Sequence, residues 1–317
     1  MQKKKSYGER VARRKSKAIP RLILVFSLTV IIVIASFVTY RFINKKNLNS
    51  DSVAAMYYYW NQYDYQKVYD ISGNILDKDS LHNAARTFRG YSSFYLSVSQ
   101  TDNSQSLLLL DEAINNLRVA LQSAKPDVIP QLEYMIGKSY FYKDNFSSYY
   151  YYADLAVKYL TLAKEHGYKS DDMAEYLGLS YASLGMTQES IESFTEALLV
   201  RESDTLLLAI AEQYFNNAQE NSAKQYLHRV VNTTNNDEIL MRSHYLLGMI
   251  YIDEGFYDDA YNEFNAILQK NENFADAHYG LGVLYEKQGE MIKARSEWRK
   301  TLRIQQNHLE ALKKMSD

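Results

Sequence analysis

The sequence repeats itself most clearly over residues 244–251, HYLLGMIY, and residues 278–285, HYGLGVLY, which lie 34 residues apart. Both stretches place a glycine among apolar residues that recur at the spacing of one helix face. Each is followed by a second glycine, Gly255 or Gly289, and then by an alanine and an aromatic residue. A fixed period of this length indicates helical hairpins that stack, because each hairpin leaves an apolar face that its neighbour must cover.

The pattern resembles the tetratricopeptide repeat, and residues 171–203 carry its motif at Leu177, Gly178, Tyr181, Gly185, Phe194 and Ala197. The resemblance covers about 49–308 and weakens toward the N-terminus. It implies an all-α fold, a right-handed α-solenoid of about seven hairpins, and it predicts a short capping helix over 309–317. The approximate units are 49–82, 83–129, 130–170, 171–203, 204–240, 241–274 and 275–308.

Most of the 12 glycines fall at two positions of the repeat. The first set should allow the two helices of a hairpin to approach where a Cβ would collide, and it comprises Gly90, Gly137, Gly178, Gly248 and Gly282. The second set should occupy the turn between the helices, where glycine adopts a positive φ without strain, and it comprises Gly185, Gly255 and Gly289.

The net charge of −2 conceals a strong asymmetry between the N-terminal residues and the rest of the chain. Residues 1–50 contain 12 Lys and Arg against one acid, Glu9, so the remainder carries a net charge of −13. An uncharged stretch, 22–40, follows nine of these cations. We therefore predict a basic cytoplasmic segment (1–21), a single transmembrane helix (22–42) and a linker (43–48). The alternative is a cleaved signal peptide, for which Val33-Ile34-Ala35 is a weak cleavage site.

Searching the sequence for chemistry yields little. The absence of cysteine excludes disulfides, thiolate metal sites and thiol nucleophiles. His244 and His278 occupy the same repeat position and are interpreted as core or interface residues rather than metal ligands. Acidic pairs such as Asp171-Asp172 are assigned to helix starts, where negative charge complements the helix dipole. We therefore predict no catalytic residue, no metal and no cofactor. We also predict no nucleic-acid partner, because the bulk of the chain is acidic.

The resemblance implies a binding surface on the inner, concave face, which the first helix of each unit forms. The predicted partner-binding residues there are Tyr57, Trp60, Tyr91, Phe94, Tyr95, Tyr134, Phe141, Tyr142, Phe215, Tyr245, Met249 and Tyr279. Some relatives hold a peptide carboxylate with a clamp of basic and amide side chains, which Lys138 alone approximates here. An apolar helix or an extended peptide is therefore the expected partner.

Together these features predict a non-enzymatic, membrane-anchored scaffold that binds proteins in an envelope assembly, such as a secretion, division or flagellar-motor-associated structure. The predicted location is a bacterial inner membrane, with the N-terminus cytoplasmic and the repeats periplasmic. One alternative is a periplasmic chaperone for exported clients near the translocon. Another is cell-wall glycan binding through an aromatic groove.

Overall fold

The computed structural model describes residues 29–39, 51–148 and 151–316. Residues 29–39 are helical (α1), and the described part of the chain contains no strand, which confirms the predicted all-α repeat architecture. The helices that follow form successive antiparallel pairs and a last single helix: α2 (Val53–Trp60) with α3 (Tyr65–Lys78), α4 (Asn83–Ser97) with α5 (Asn103–Gln122), α6 (Ile129–Phe146) with α7 (Ala153–Glu165), α8 (Met173–Ser183) with α9 (Thr187–Val200), α10 (Asp204–Asn216) with α11 (Glu220–Thr233), α12 (Asp237–Glu254) with α13 (Tyr257–Lys270), α14 (Ala275–Lys287) with α15 (Met291–Ile304), and α16 (Leu309–Ser316).

Short polar side chains and glycine determine where several helices begin and end. The Ser52 hydroxyl accepts a hydrogen bond from the Ala55 N–H at 3.2 Å and so caps the start of α2. Asn236 caps α12 in the same way. At the other end of α12, Gly255 has a φ of 82° and its N–H donates to the Ile252 carbonyl. Glycine reaches this left-handed conformation without the strain that a Cβ would add.

In five of the seven hairpins that the structure describes, the two helices approach closely at a glycine. A Cβ on Gly178 would lie 2.5 Å from Cδ1 of Phe194, and a Cβ on Gly248 would lie 2.6 Å from Cε1 of Phe264. Both distances are far below ordinary van der Waals contact. The same overlap would occur at Gly90, Gly137 and Gly282. The predicted role of the first glycine set is therefore confirmed.

The core runs along the solenoid, between neighbouring hairpins, rather than gathering at one centre. Phe264 of α13 is fully buried, and it packs with Leu281 and Leu284 of α14 in the next hairpin. The second helix of each hairpin contacts the first helix of the next along the whole series. Each hairpin thus covers the apolar face of its neighbour, and α16 lies against α15 at the end of the series, with Ala311 buried.

The structure does not show the predicted transmembrane helix (22–42). Residues 22–28 and 40–42 of this stretch, together with 1–21 and 43–48, lie outside the described residues. Among the described residues, no helix combines the length and apolar character that crossing a membrane requires. This finding contradicts the predicted inner-membrane location with a cytoplasmic N-terminus and periplasmic repeats, and that prediction is wrong.

Replacing Gly248 with alanine should destabilise the solenoid. The new methyl group would overlap the Phe264 ring, which cannot withdraw because Gly280 of the next hairpin contacts its other side. Overpacking of this kind costs about 1–3 kcal/mol, which outweighs the roughly 1 kcal/mol that alanine gains over glycine in helix propensity. We expect a lower urea-unfolding midpoint for Gly248→Ala.

Asp253→Ala is the matched control, because Asp253 is exposed on the same helix. Its unfolding midpoint should be unchanged or slightly higher. Equal midpoints for Gly248→Ala and wild type would contradict the assigned role of the glycine.

Candidate partner-binding surface

The first helices of the hairpins form the inner face. Alternate helices that contact one another are first helices: α2 with α4, α4 with α6, α6 with α8, α10 with α12, and α12 with α14. Such contacts arise where the helices converge on the concave side of a curved stack. Every predicted partner-binding residue lies on one of these first helices.

The predicted residues divide into supporting and accessible side chains. Tyr91, Phe94 and Tyr134 are buried, with exposed fractions of 6%, 2% and 5%, so they support the inner face rather than form its surface. Tyr57 is 48% exposed and is the most accessible of the set. The remaining members are partly buried, namely Trp60, Tyr95, Phe141, Tyr142, Phe215, Tyr245, Met249 and Tyr279.

Aromatic rings pack together where the first two hairpins meet. The Trp60 ring centroid lies 5.3 Å from that of Phe88, 5.7 Å from that of Tyr91 and 5.8 Å from that of Tyr95. Tyr95 in turn stacks on Tyr65 at 4.5 Å with nearly parallel planes. Because each ring is held by others, the orientation of the partly exposed Trp60 and Tyr95 is fixed before any partner arrives.

Trp60, Tyr91 and Tyr95 form one wall of a cavity of about 280 Å³ on the inner face, the aromatic cavity. Tyr168, from the loop between α7 and α8, lines it as well and stacks on Tyr134 at 4.7 Å. The residues that line the cavity are Trp60, Tyr91, Tyr95, Gln131, Tyr134, Met135, Lys138, Tyr168, Ser170 and Asp172.

Asp172 organises the polar side of the cavity. Its carboxylate accepts hydrogen bonds from Lys138 Nζ at 2.9 Å, from the Tyr134 hydroxyl at 2.6 Å and from the Ser170 hydroxyl. Burial alone would raise the pKa of Asp172, but the bonds from Ser170, Tyr134 and Lys138 lower it overall. The carboxylate therefore stays ionised and fixes three side chains at the cavity wall.

The structure gives Asp172 a second role beside its predicted place at a helix start. The residue does precede α8, as expected, but its side chain makes no capping hydrogen bond to that helix. The carboxylate instead reaches across to α6, where Tyr134 and Lys138 compensate its charge. The sequence signal, an acid at a helix start, fits both arrangements equally well.

Lys138 is engaged in the same network. Its ammonium group lies 4.7 Å from the ring centroid of Tyr176 and 5.8 Å from that of Phe94, in addition to its ion pair with Asp172. A cation that is already paired with a carboxylate is poorly placed to hold a peptide carboxylate. The geometry therefore agrees with the expectation that this chain does not use the carboxylate clamp.

Tyr91 presents a hydroxyl that finds no hydrogen-bond partner among the described residues. Burial raises the pKa of Tyr91, and the nearby Tyr168 and Tyr95 add to the rise, so the hydroxyl stays protonated. A buried polar group without a partner costs about 1–3 kcal/mol, which makes this position unusual in a packed helical repeat.

The four C-terminal members of the predicted set lie apart from the aromatic cavity. Phe215 and Tyr245 line a second inner-face cavity of about 350 Å³, the distal cavity. Arg242 bridges its acidic side chains, at 2.8 Å from Glu212 and 3.9 Å from Asp276. The structure thus separates the predicted surface into an aromatic N-terminal part and a more polar C-terminal part.

The histidines prove to be structural. His244 Nδ1 lies 2.5 Å from a Glu263 oxygen, and His278 Nδ1 lies 2.7 Å from a Glu297 oxygen, so the same pair recurs one repeat later. No group of His, Asp and Glu in the described part of the chain is arranged to hold a metal ion. His278 is buried and His244 is partly buried, as expected for core or interface residues.

Sequence reasoning missed the residues that come from outside the first helices. Tyr168, Ser170 and Asp172 belong to the connection between two hairpins, and Tyr65 begins a second helix. The repeat pattern assigns no inner-face role to such positions. Tyr168 directly follows Gly167, whose φ of 88° ends α7, and a glycine followed by an aromatic residue in a connection was the available signal.

Comparison with known proteins agrees with this architecture. Residues 156–312 match the family model of the tetratricopeptide repeat protein 21 C-terminal ARM domain. A tetratricopeptide repeat protein from Parabacteroides merdae ATCC 43184 aligns with a TM-score of 0.53 and 17% identity over 67% of this chain and 78% of that one. YrrB, described as a TPR protein with an unusual peptide-binding site, aligns with a TM-score of 0.47 and 23% identity over 63% of this chain and 98% of that one. MamA aligns with a TM-score of 0.46 and 18% identity over 58% of this chain and 96% of that one.

No curated protein matches the chain. At the identities found among solved structures, the similarity shows the fold alone. The family model and the Parabacteroides structure, together with the glycine-centred hairpins, show that the chain has a tetratricopeptide-like helical repeat fold.

Asp172→Asn should destabilise the protein in a pH-dependent way. We expect a loss of about 1–2 kcal/mol at pH 7, less than for a fully buried pair, because the Asp172 side chain is 36% exposed and solvent screens it. Its pKa is lowered in the folded state, so its contribution is present above the unfolded value of about 3.9 and is lost as the pH falls through the folded value.

Urea unfolding between about pH 7 and pH 2 would measure this dependence. The difference between variant and wild type should shrink below about pH 4. Asp171→Asn is the matched control, since no ion pair engages Asp171 among the described residues, and it should have little effect at any pH. A difference for Asp172→Asn that persists to pH 2 would assign the residue a packing role instead.

Proposed function

We propose that this protein is a scaffold whose inner face binds a segment of a partner protein, with the aromatic cavity as the main anchoring point. The observation that carries the proposal is the juxtaposition of Trp60, Tyr95 and Tyr168 around one open cavity. Tyrosine and tryptophan supply large rigid contact area and dominate binding energy at protein interfaces. The envelope setting predicted from the sequence depended on the corrected location and is not included.

The size of the cavity favours a side chain of a partner over a free small molecule. Pockets for drug-sized ligands enclose about 300–1,000 Å³ and bury most of the ligand. The aromatic cavity, at about 280 Å³, is smaller and opens onto the inner face. One large apolar or aromatic side chain of a bound segment fits this space, while the rest of the segment lies along the first helices.

The rigidity of the cavity favours a scaffold over a chaperone. Surfaces that accept many clients are commonly flexible and rich in methionine. Here the stacked pairs Tyr65–Tyr95 and Tyr134–Tyr168 hold the walls, and Met135 is the single methionine among the lining residues. A preorganised cavity loses less entropy on binding and discriminates between partners.

Site-specific photocrosslinking with the full chain in its own cells tests the proposal. A photoreactive phenylalanine at Tyr57 or Gln131 would report on the inner face, since Tyr57 is 48% exposed and Gln131 lines the aromatic cavity. Leu199 and Tyr261, which are 86% and 44% exposed on second helices, are the matched controls. We expect one or a few discrete crosslinked proteins from the inner positions and none of these from the controls.

The pattern of products separates the alternatives. A broad distribution of many crosslinked proteins would favour the chaperone. Retention of the purified protein on cell-wall glycan, without a protein crosslink, would favour glycan binding. Equal crosslinking from inner and outer positions would contradict the assignment of the inner face.

A further inference from the structure

We infer that the segment bound on the inner face is basic: it places an apolar or aromatic side chain in the aromatic cavity and an arginine or lysine beside Asp171 and Glu175. This inference rests on the proposed function and adds the chemistry of the partner. Three observations support it. The aromatic cavity adjoins a second, acidic cavity, and the two together are called the groove. The charges in this groove do not balance, and the protein already holds one of its own cations there.

The aromatic cavity adjoins a neighbouring cavity of about 500 Å³, the acidic cavity. The two cavities share Ser170 and Asp172 among their lining residues. Asp171 and Glu175 line the acidic cavity but not the aromatic cavity. Apolar side chains complete the acidic cavity, namely Ala197, Val200 and Leu206.

The charges in this groove do not balance. Lys138 is neutralised by Asp172 at 2.9 Å. Arg201 approaches Glu175 only at 3.8 Å, and its side chain is 76% exposed, so this pair is weak. Asp171 is exposed, and no ion pair engages it among the described residues. Uncompensated negative charge therefore remains in the acidic cavity, where a partner's cation would be stabilised and a partner's carboxylate repelled.

The distal cavity has the same sign. Glu212, Asp276 and Glu310 line it, while Arg242 is shared between the first two of these. A basic segment that extends along the inner face toward the C-terminus thus meets carboxylates again in the distal cavity. Interfaces arranged in this way gain mainly in association rate and in the rejection of partners with the wrong charge.

The protein contains an internal example of the proposed contact. Lys138 places its ammonium group near the rings of Tyr176 and Tyr134 while it pairs with Asp172. A cation on an aromatic face next to a carboxylate is favourable. The groove offers both kinds of group, with Tyr168 in the aromatic cavity and Asp171 in the acidic cavity. Tyr91 is 94% buried at the cavity wall. Its hydroxyl is a hydrogen-bonding group that lacks a partner among the described residues.

Trp60 allows the cavity to be observed directly. The chain has two tryptophans, and Trp298 is fully buried in the C-terminal half. Trp298→Phe therefore leaves Trp60 as the single reporter, and phenylalanine is accepted at the corresponding positions 194 and 264 of other hairpins. Occupation of the aromatic cavity should change the Trp60 emission.

The experiment selects peptides from a random dodecapeptide display library on the immobilised full chain. Selected peptides are then synthesised, and their affinities are measured by Trp60 emission in the Trp298→Phe protein. We expect the selected peptides to combine an arginine or lysine with an aromatic or aliphatic residue. The double variant Asp171→Lys, Glu175→Lys should weaken their binding at least about 10-fold, and raising the salt from 50 to 500 mM should weaken binding to the wild type.

The matched control is Asp154→Lys, Glu189→Lys, which makes the same change in net charge at exposed positions on second helices. Its affinities should stay within about two-fold of wild type. Peptides that bind at Trp60 but carry no basic preference, or that tolerate the Asp171, Glu175 double variant, would overturn the inference and leave the proposed function standing. Failure to select any peptide would overturn both.

Discussion

The close packing of two helices at a glycine is the contact on which the rest of the solenoid depends. Phe264 shows it most clearly, since its ring lies between Gly248 of its own hairpin and Gly280 of the next. A side chain larger than hydrogen at either glycine would force the helices apart. Because the helices approach to backbone distance, the first helices of successive hairpins come into contact, and their remaining side chains face the concave side.

Aromatic residues serve two purposes in the two halves of the molecule. In the C-terminal half the glycine faces an aromatic ring, such as Phe194 or Trp298, that fills the hairpin core. In the second and third hairpins Leu117 and Leu160 take that place. The rings of the N-terminal half lie instead on or just beneath the inner face, where they enclose the aromatic cavity. The high tyrosine content therefore reflects both packing and an accessible surface.

The connection between the third and fourth hairpins gives that surface its electrostatic character. The Asp172 side chain makes no capping hydrogen bond to its own helix and pairs instead with Lys138, the cation that approximated a carboxylate clamp in the sequence. Asp171 and Glu175 line the acidic cavity, where little positive charge compensates them. A single short connection thus both stabilises the cavity wall and favours a basic partner.

The sequence by itself determined the helical hairpins, their order and the role of the repeated glycines, because these depend on contacts between residues close in the chain that recur with one period. It also placed the inner face on the first helices. Only the tertiary structure decided that Tyr91, Phe94 and Tyr134 are buried, that Tyr168 and Asp172 complete the cavity, and that no described helix could cross a membrane. Connections between repeats do not follow the period, and the burial of a side chain depends on neighbours that a periodic pattern does not specify.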